Sequence, residues 1–465
     1  MACTAQQAAA PGGTTALHVT VTRDGAYEIR LTGLAAPILR AKSAAEIGHH
    51  WVQSSDYPRH WVTTAVFHDA LGSGHSTTVS FTGLTSEPDL NYTLRVYDDH
   101  GFGEIEAGVR NTTPKTVTVQ AIRLLDAAEQ TPINLGGPPA ADRVLSDSFS
   151  EDHPVLKIFD LGAVPGGMHR AVGSQLVFNR QSHEGFFLGA LTSRRFLTMI
   201  HLQARNSSKE GLRIESCTVD STGTTEAQRA GSLSDAPAAN LVELSLSIEP
   251  GKDLASERVM FAAGKDYHAE LEAYGRAIRR LNHARVTGKA PIGWWSWTAF
   301  YMGINQKNVL TNAQWLAQYL KRFGYIYFHI DEGYDYARGE YTTPNGSGFP
   351  DGMRWLGRRI AALGLRLGVW TAPFEVSERS WVYQHHQNWL VHTERGEPLQ
   401  VGGFKAGEDA LFVLDATNPS AQQYLRQTYR IISREWGARY IKLDFMDATA
   451  VEGRYYRPNT TALEA

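Results

Sequence analysis

The chain of 465 residues has only two cysteines, Cys3 and Cys217, which excludes a disulfide framework or a cysteine-built zinc site. No apolar run approaches the roughly eighteen residues of a membrane helix. The formal net charge is −3, with no block of one sign, so neither nucleic acid nor an anionic membrane is an expected partner. No self-similarity recurs at the roughly 20–50-residue periods of solenoids and propellers. Histidines are scattered. The pair His385-His386 has no third ligand at a metal-binding spacing, so no metal or cofactor is expected and the pair reads as part of a surface helix. The first thirteen residues, MACTAQQAAAPGG, lack the basic start and apolar stretch of a signal peptide and read as a disordered segment, 1–13. Cys3 would fit the remnant of a lipoprotein processing site if translation starts upstream. The compartment is therefore left open.

What is present is an ordinary globular balance, 42% apolar and 20% charged, with a generous supply of eleven Trp and nineteen Tyr. From 14 to 262 the pattern has period two. Leu17, Val19 and Val21 alternate; after Asp24-Gly25 come Tyr27, Ile29 and Leu31; later runs include Val79 and Phe81, Tyr92 and Leu94, Ile105 and Val109, and Val117 and Val119. Turn residues punctuate them, as in an antiparallel β-sandwich. A connecting segment, 263–287, holds a helix from about Asp266 to Asn282 whose Tyr267, Leu271, Tyr274, Ile278 and Leu281 share one face.

From 288 to 465 strands and helices alternate. Ile292–Trp297 reads as strand one, Tyr325–Ile330 as strand two, Leu365–Trp370 as strand three and Tyr440–Leu443 as strand four. Between them fall helices begun by Asn305, Asp351 and Asn418-Pro419. This βα order predicts the first half of a (β/α)8 barrel, strands one to four, so the fold class is a β-sandwich followed by a partial barrel. The strand ends deliver Trp297, Asp331-Glu332, Trp370 and Asp444 to one mouth. Aromatic walls with several carboxylates suit a neutral polyhydroxylated ligand. Asp444 is the candidate nucleophile of a retaining glycosidase, and Lys442, two residues earlier on the same strand face, would keep it ionised.

The stretches IGWWSW, HIDEGY, FPDGMRWL, GVWTAPF and IKLDF, in this order over Pro291–Phe445, resemble the α-galactosidase (melibiase) group of retaining glycoside hydrolases. The β-rich first half is similar to the sandwich preceding the barrel in the larger members. The resemblance implies an exo-acting enzyme cleaving terminal α-D-galactosyl residues. It implies Asp444 as nucleophile and Lys442 as a substrate-binding lysine. It also implies Trp297 stacking on the sugar, Asp331 and Glu332 gripping its distal hydroxyls, and Trp370 as an aromatic wall.

Two departures stand out. The first lies in HIDEGY, where Glu332 replaces the group's usual second Asp and Tyr334 stands where Trp is common. The longer Glu332 reaches about one C–C bond further, which would suit a galactose-shaped pentose lacking the hydroxymethyl group, making β-L-arabinopyranosides an alternative substrate. The second departure is the acid/base, which in the group is an Asp on a later strand; this chain ends 465 − 444 = 21 residues after Asp444. The sequence therefore reads as a C-terminal truncation with little or no turnover, in which Tyr455–Ala465 is the loop after strand four. Glu375 reads as a capping or surface carboxylate, Asp415 as a turn-fixing residue and Asp447 as a loop residue. The same residues would also serve galactosyl transfer of the raffinose-synthase type or, without Asp444 acting, a non-catalytic sugar-binding role.

Overall fold

The computed structural model describes residues 17–128, 132–146, 157–229, 241–286, 288 and 290–465. The segment 1–13, and Cys3 with it, lies outside them. The described residues divide into two compact units: one from 17–229 with Glu243–Arg285 and Asn459–Glu464, the other chiefly Val286–Pro458.

In the first unit, alternation builds two antiparallel sheets, one nine-stranded and one ten-stranded. Leu17–Val21 pairs with Tyr27–Leu31 through the turn at Asp24-Gly25. Gly25 is needed there. Its φ is +76°, and a Cβ would lie 2.6 Å from the Phe81 ring. The apolar halves of both sheets face one core, in which Tyr27, Ile29 and Leu39 of one sheet meet Phe81, Tyr92, Ile105 and Phe261 of the other. Each such side chain contributes about 1.5–3 kcal/mol by leaving water. The buried Tyr hydroxyls are satisfied: Tyr27 donates to the Leu124 carbonyl at 3.0 Å and Tyr92 to that of Gly25 at 2.8 Å.

Helix α1 (Tyr267–Leu281) is capped at Asp266, whose carboxylate accepts from the Ala269 N–H at 3.1 Å. Its stripe of Tyr267, Leu271, Tyr274, Ile278 and Leu281 packs on the outer face of the ten-stranded sheet around Phe187 and Met260. Asn459–Glu464 also belongs to this unit. The Asn459 side chain accepts from the Ser247 N–H at 2.8 Å and donates to the Ser247 carbonyl at 3.1 Å, standing in for a strand neighbour.

The second unit carries a four-stranded parallel sheet in sequence order: β1 (Gly293–Trp295), β2 (Tyr327–Ile330), β3 (Arg366–Thr371) and β4 (Tyr440–Leu443). The helices between are α2 (Gln306–Tyr319), α3 (Gly352–Ala362) and α4 (Pro419–Arg430), the last continuing as a π-helical turn over Ile431–Glu435. Asn305 and Asn418 cap α2 and α4 by accepting from the Asn308 and Ser420 N–H groups. Asp351 occupies the cap position of α3 but makes no cap bond; its carboxylate accepts instead from Gln306 Nε2 at 2.7 Å. One face of the sheet is fully covered: Phe328, Ile330, Leu367 and Val369 are buried with Val309, Leu316, Leu356, Ile360 and Ile432 of the helices.

One expected element differs. Strand one stops at Trp295, because the Ser296 carbonyl accepts from the Ala299 and Phe300 N–H groups and turns the chain into a short helix, Trp297–Phe300. Between β3 and α4 lie a strand, Glu375–Ser377, and the short helix Trp381–His385. The strand joins a small antiparallel sheet with Leu411–Val413 and Gln400–Gly402.

Candidate active site

The four parallel strands run in register, with Trp295 opposite His329, His329 opposite Gly368, Gly368 opposite Tyr440 and Trp370 opposite Lys442. Residues beyond these pairs therefore emerge together at the C-terminal edge. Gly368 matters because a Cβ there would lie 2.9 Å from His329 Nδ1 and 3.1 Å from the Tyr440 ring. Without one, the two rings meet edge to face at 5.4 Å.

Asp331 follows β2 and is 2% exposed. Its backbone N–H donates to Ser296 Oγ at 2.9 Å, and its own Oδ1 accepts from the Glu332 N–H at 3.0 Å. Oδ2 lies 3.1 Å from His329 Nε2 and 3.4 Å from Lys442 Nζ. Burial pushes this carboxyl up, but the His329 hydrogen bond, the Glu332 N–H and the Lys442 charge outweigh it and hold the group below its ordinary value.

Asp444 follows β4. Its Oδ2 accepts from Trp370 Nε1 at 2.7 Å and pairs with Lys442 Nζ at 2.9 Å, while Oδ1 accepts from the Phe445 N–H at 3.1 Å. Burial again raises the carboxyl; Trp370 and Lys442 more than reverse it, so Asp444 is held ionised. Phe445 makes the sharp exit from β4 with φ +52°, a left-handed conformation that costs a non-glycine residue about 1 kcal/mol or more. Burial pulls the Lys442 ammonium down, and the two carboxylates together keep it above its usual value. Lys442 also sits 5.3 Å over the Trp295 ring.

Of the expected residues, Asp331, Trp370, Lys442 and Asp444 are brought together. Trp370 is 1% exposed and meets Asp444 through its N–H edge, so its ring lies inside the wall and is not a face open to the mouth. Trp297 follows Ser296 in the short helix after β1, and its ring packs edge to face on Tyr301 at 5.2 Å. Trp295, two residues earlier, is the strand-one aromatic that touches this cluster.

Glu332 is bound on both oxygens by Arg338: Nε donates to Oε1 at 2.6 Å and Nη2 to Oε2 at 2.9 Å. Arg338 Nη1 donates to Glu375 Oε2 at 2.5 Å, and the guanidinium lies 4.3 Å over the Phe445 ring. Glu375 is therefore not a capping or surface carboxylate. It is 3% exposed. Burial pushes it up to about 7, against the pull of Arg338 and with a push from Glu332 and Asp444. Asp335, next to Glu332, is likewise pushed up to about 6 by burial and the Glu332 charge. Tyr334 is buried and donates to the Trp370 carbonyl at 3.0 Å, which braces β3. Asp415 does fix its turn, accepting from the Thr417 N–H at 2.8 Å. Arg338 went unpredicted because no periodic signal marks a loop arginine. Trp295 and His329 were legible as the two-residue partners of Trp297 and Asp331.

For metals, the described residues offer His201, Asp220 and Glu226 of the first unit, whose donor atoms lie within 4.8 Å of one another. Asp220 is already held by Arg123 through two bonds of 2.7 and 2.9 Å, and His201 pairs with Glu226 at 2.9 Å. These donors satisfy one another and an arginine, a poor arrangement for a cation.

Residues 265–461 match the family model described as Melibiase. Over 102 residues the chain is 36% identical to a probable α-galactosidase B of Talaromyces emersonii, covering 20% of this chain and 23% of that one. Over 229 residues it is 26% identical to α-galactosidase C of Emericella nidulans, covering 43% of this chain and 28% of that one. The chain thus spans only about a quarter of the length of these relatives. Among solved structures, a GH36 α-galactosidase from Geobacillus stearothermophilus, in complex with raffinose, superposes with a TM-score of 0.58 at 14% identity, over 96% of this chain and 59% of that one. An α-galactosidase from Thermus thermophilus, in complex with stachyose, gives 0.50 at 21% identity, over 78% and 66%. At these identities the structural likeness speaks for the fold.

Proposed function

We propose that this chain, a member of the α-galactosidase (melibiase) group through residues 265–461, carries the glycone-binding half of a retaining glycoside hydrolase of α-galactosidase type, its parallel sheet being half of a (β/α)8 barrel. The observation that carries the reading is the Lys442 ammonium held at 2.9 Å from Asp444 and 3.4 Å from Asp331. One cation with two carboxylates leaves a net negative hollow that stays ionised. Such a hollow can accept hydroxyl protons at Asp331 and present a nucleophilic oxygen at Asp444.

In this mechanism Asp444 attacks the anomeric carbon of a terminal galactosyl residue, the glycosidic C–O bond breaks, and the departing oxygen takes a proton. A glycosyl ester on Asp444 forms and is then hydrolysed by water. Lys442 and the Trp370 N–H hold the carboxylate oriented and charged before attack. Among the described residues no carboxyl is assigned to protonate the leaving group. Glu375, the nearest in character, is engaged by Arg338.

The test avoids that proton. A fluorinated galactosyl fluoride expels fluoride, which needs little protonation, so the first step reports Asp444 alone. Mass spectrometry is expected to find one glycosyl adduct on the peptide holding Asp444, and none in Asp444→Asn. Sugar binding without any adduct would favour a non-catalytic binding protein.

A second reading concerns the sugar. Glu332, held on both oxygens by Arg338, directly follows Asp331, and the family resemblance sets this acid against the sugar's distal end, where its extra methylene would take the room of a hexose hydroxymethyl group. This favours β-L-arabinopyranosides. Trapping rates with paired arabinopyranosyl and galactosyl donors decide: a galactose preference unchanged in Glu332→Asp removes this reading.

A further inference from the structure

The ten-stranded sheet ends on the strand Arg59–His68, which pairs with Ser73–Thr82 and has no strand on its other side among the described residues. The pairing runs unbroken from Arg59 opposite Thr82 to His68 opposite Ser73, so no bulge twists this edge away. The hairpin fixes which backbone groups face outward. The Asp69 N–H donates to the Gly72 carbonyl at 2.9 Å, and the Ser73 carbonyl turns the other way to accept from the Asp98 N–H at 3.0 Å. Antiparallel alternation then points the N–H and C=O groups of His60, Val62, Thr64, Val66 and His68 away from the sheet. Folded proteins guard such an edge with Lys, Pro or a bulge. Between Arg59 and Asp69 this chain has no Pro and no Lys, Arg, Asp or Glu. Instead Val66 is 75% exposed, Trp61 52% and Val62 39%.

The edge is complementary to itself. Two copies paired antiparallel about a two-fold axis at Thr64 would set Val62 against Val66, Trp61 against Phe67, Thr63 against Ala65 and Arg59 against Asp69. Apolar residues meet apolar ones, and the two charges that bound the strand meet their opposites. Arg59 is exposed, and Asp69 keeps 27% of its side chain exposed beside Arg258. In the same register the five residues with outward backbone groups face one another, so each pair exchanges two N–H···O bonds. Moving the axis by one residue sets Val62 against Thr64 or His68 and parts the charges. Phe67 already packs edge to face on Tyr97 at 5.1 Å, and the second copy's Trp61 would extend that aromatic row. We propose that the Arg59–His68 edge is where two copies of this chain join their ten-stranded sheets, through a two-fold axis at Thr64. The contact lies on the first unit and does not depend on the chemistry at Asp444.

Sedimentation velocity of the whole chain over a concentration series decides. One strand pair is small beside a standard interface, so a micromolar dimer is expected. Thr64→Pro removes the N–H at the axis from each copy but no bond within the monomer, because an edge strand tolerates Pro where its N–H faces outward. Val62→Lys with Val66→Lys sets ammonium groups opposite one another. Each change should weaken the dimer about tenfold or more and leave the monomer's melting temperature unchanged. Val62→Glu with Val66→Lys restores opposite charges across the pair in this register alone and should recover the dimer. Hydrogen exchange at the Val62, Thr64 and Val66 amides should slow only as the dimer forms. An unmodified chain still monomeric at about 100 μM, or an association indifferent to Thr64→Pro and to the lysine pair, would overturn the proposal. So would a Glu–Lys chain that associates no better than the lysine pair, or slow exchange of those amides in the monomer, which would mean that another segment of the chain covers the edge. Fluorosugar trapping at Asp444 is read separately, so failure here leaves that reading intact.

Discussion

Glu375 offers a test of the electrostatics at the mouth of the parallel sheet. Its carboxyl is 3% exposed and touches Arg338 at 2.5 Å, which taken alone suggests a fully ionised pair. The shift to about 7 says otherwise. The two agree once Arg338 is seen to be shared. Glu332 holds two of its N–H groups and Glu375 one, so burial and the Glu332 charge prevail at Glu375. The ordinary value is 4.5 and the folded value about 7. The folded state therefore binds the extra proton, and stability is lost as pH rises through this window. The difference of about 2.5 units, at 1.36 kcal/mol each, sets a loss on the order of 3 kcal/mol between pH 4.5 and 7.5. Glu375→Gln cannot lose a proton and still accepts from Arg338, so it should lack this slope. Nine of the eleven tryptophans lie between Trp294 and Trp436, so fluorescence-detected urea unfolding reports mainly the second unit. Asp335 and other raised carboxyls slope the same way in both proteins, and the difference between the two curves isolates Glu375. A constant difference across that pH range would refute the reasoning.

Two further substitutions test the wall. Trp370→Phe keeps most of the buried ring but removes the 2.7 Å bond to Asp444. With a charged acceptor the loss should be about 1.5–3 kcal/mol, read as a roughly tenfold or greater slowing of fluorosugar trapping with an upward shift in its pH midpoint. Gly368→Ala places a methyl 2.9 Å from His329 Nδ1. Overpacking of about 1–3 kcal/mol should lower the denaturation midpoint of the second unit and weaken sugar binding, whereas an unchanged midpoint would show that His329 and Tyr440 yield freely.

The periodicities told most about elements whose packing is one-sided. The stripe of α1 and the alternation of Tyr27, Ile29 and Leu31 are each read from their own segment and bury as expected. The caps at Asn305 and Asn418 were likewise local. What failed was non-local. Strand one ends two residues early because Ser296 serves two masters, the helical turn and the Asp331 N–H, and no stretch of β1 carries that information. Asp351 is diverted from its cap by Gln306, a residue 45 positions away. Arg338 ties Glu332 to Glu375 across the loops after β2 and β3, so the fate of Glu375 depended on a partner 37 positions earlier. The two-residue spacing of Lys442 and Asp444, by contrast, forces them onto one strand face, and this part of the site was visible from the start.

That spacing alone would also fit a buried ion pair whose task is to fix strand register, and the charge count separates the two roles. A register pair is most stable when it is one-to-one, since any surplus charge in a poorly solvated place is costly. Lys442 instead serves two carboxylates from different strands, 2% exposed at Asp331 and 11% at Asp444, and is itself 26% exposed. Indole and backbone N–H donors are spent on Asp444, and an N–H from Glu332 on Asp331, to keep both ionised. Deleting one carboxylate would leave a simpler, neutral pair and a more stable sheet. The chain keeps the surplus negative charge, concentrates it at the edge where the four parallel strands finish, and turns Phe445 into a left-handed conformation beside it. A surplus of this kind is a cost to folding, and it is accounted for if the Asp444 oxygens have work to do on a ligand that the folded chain does not itself supply.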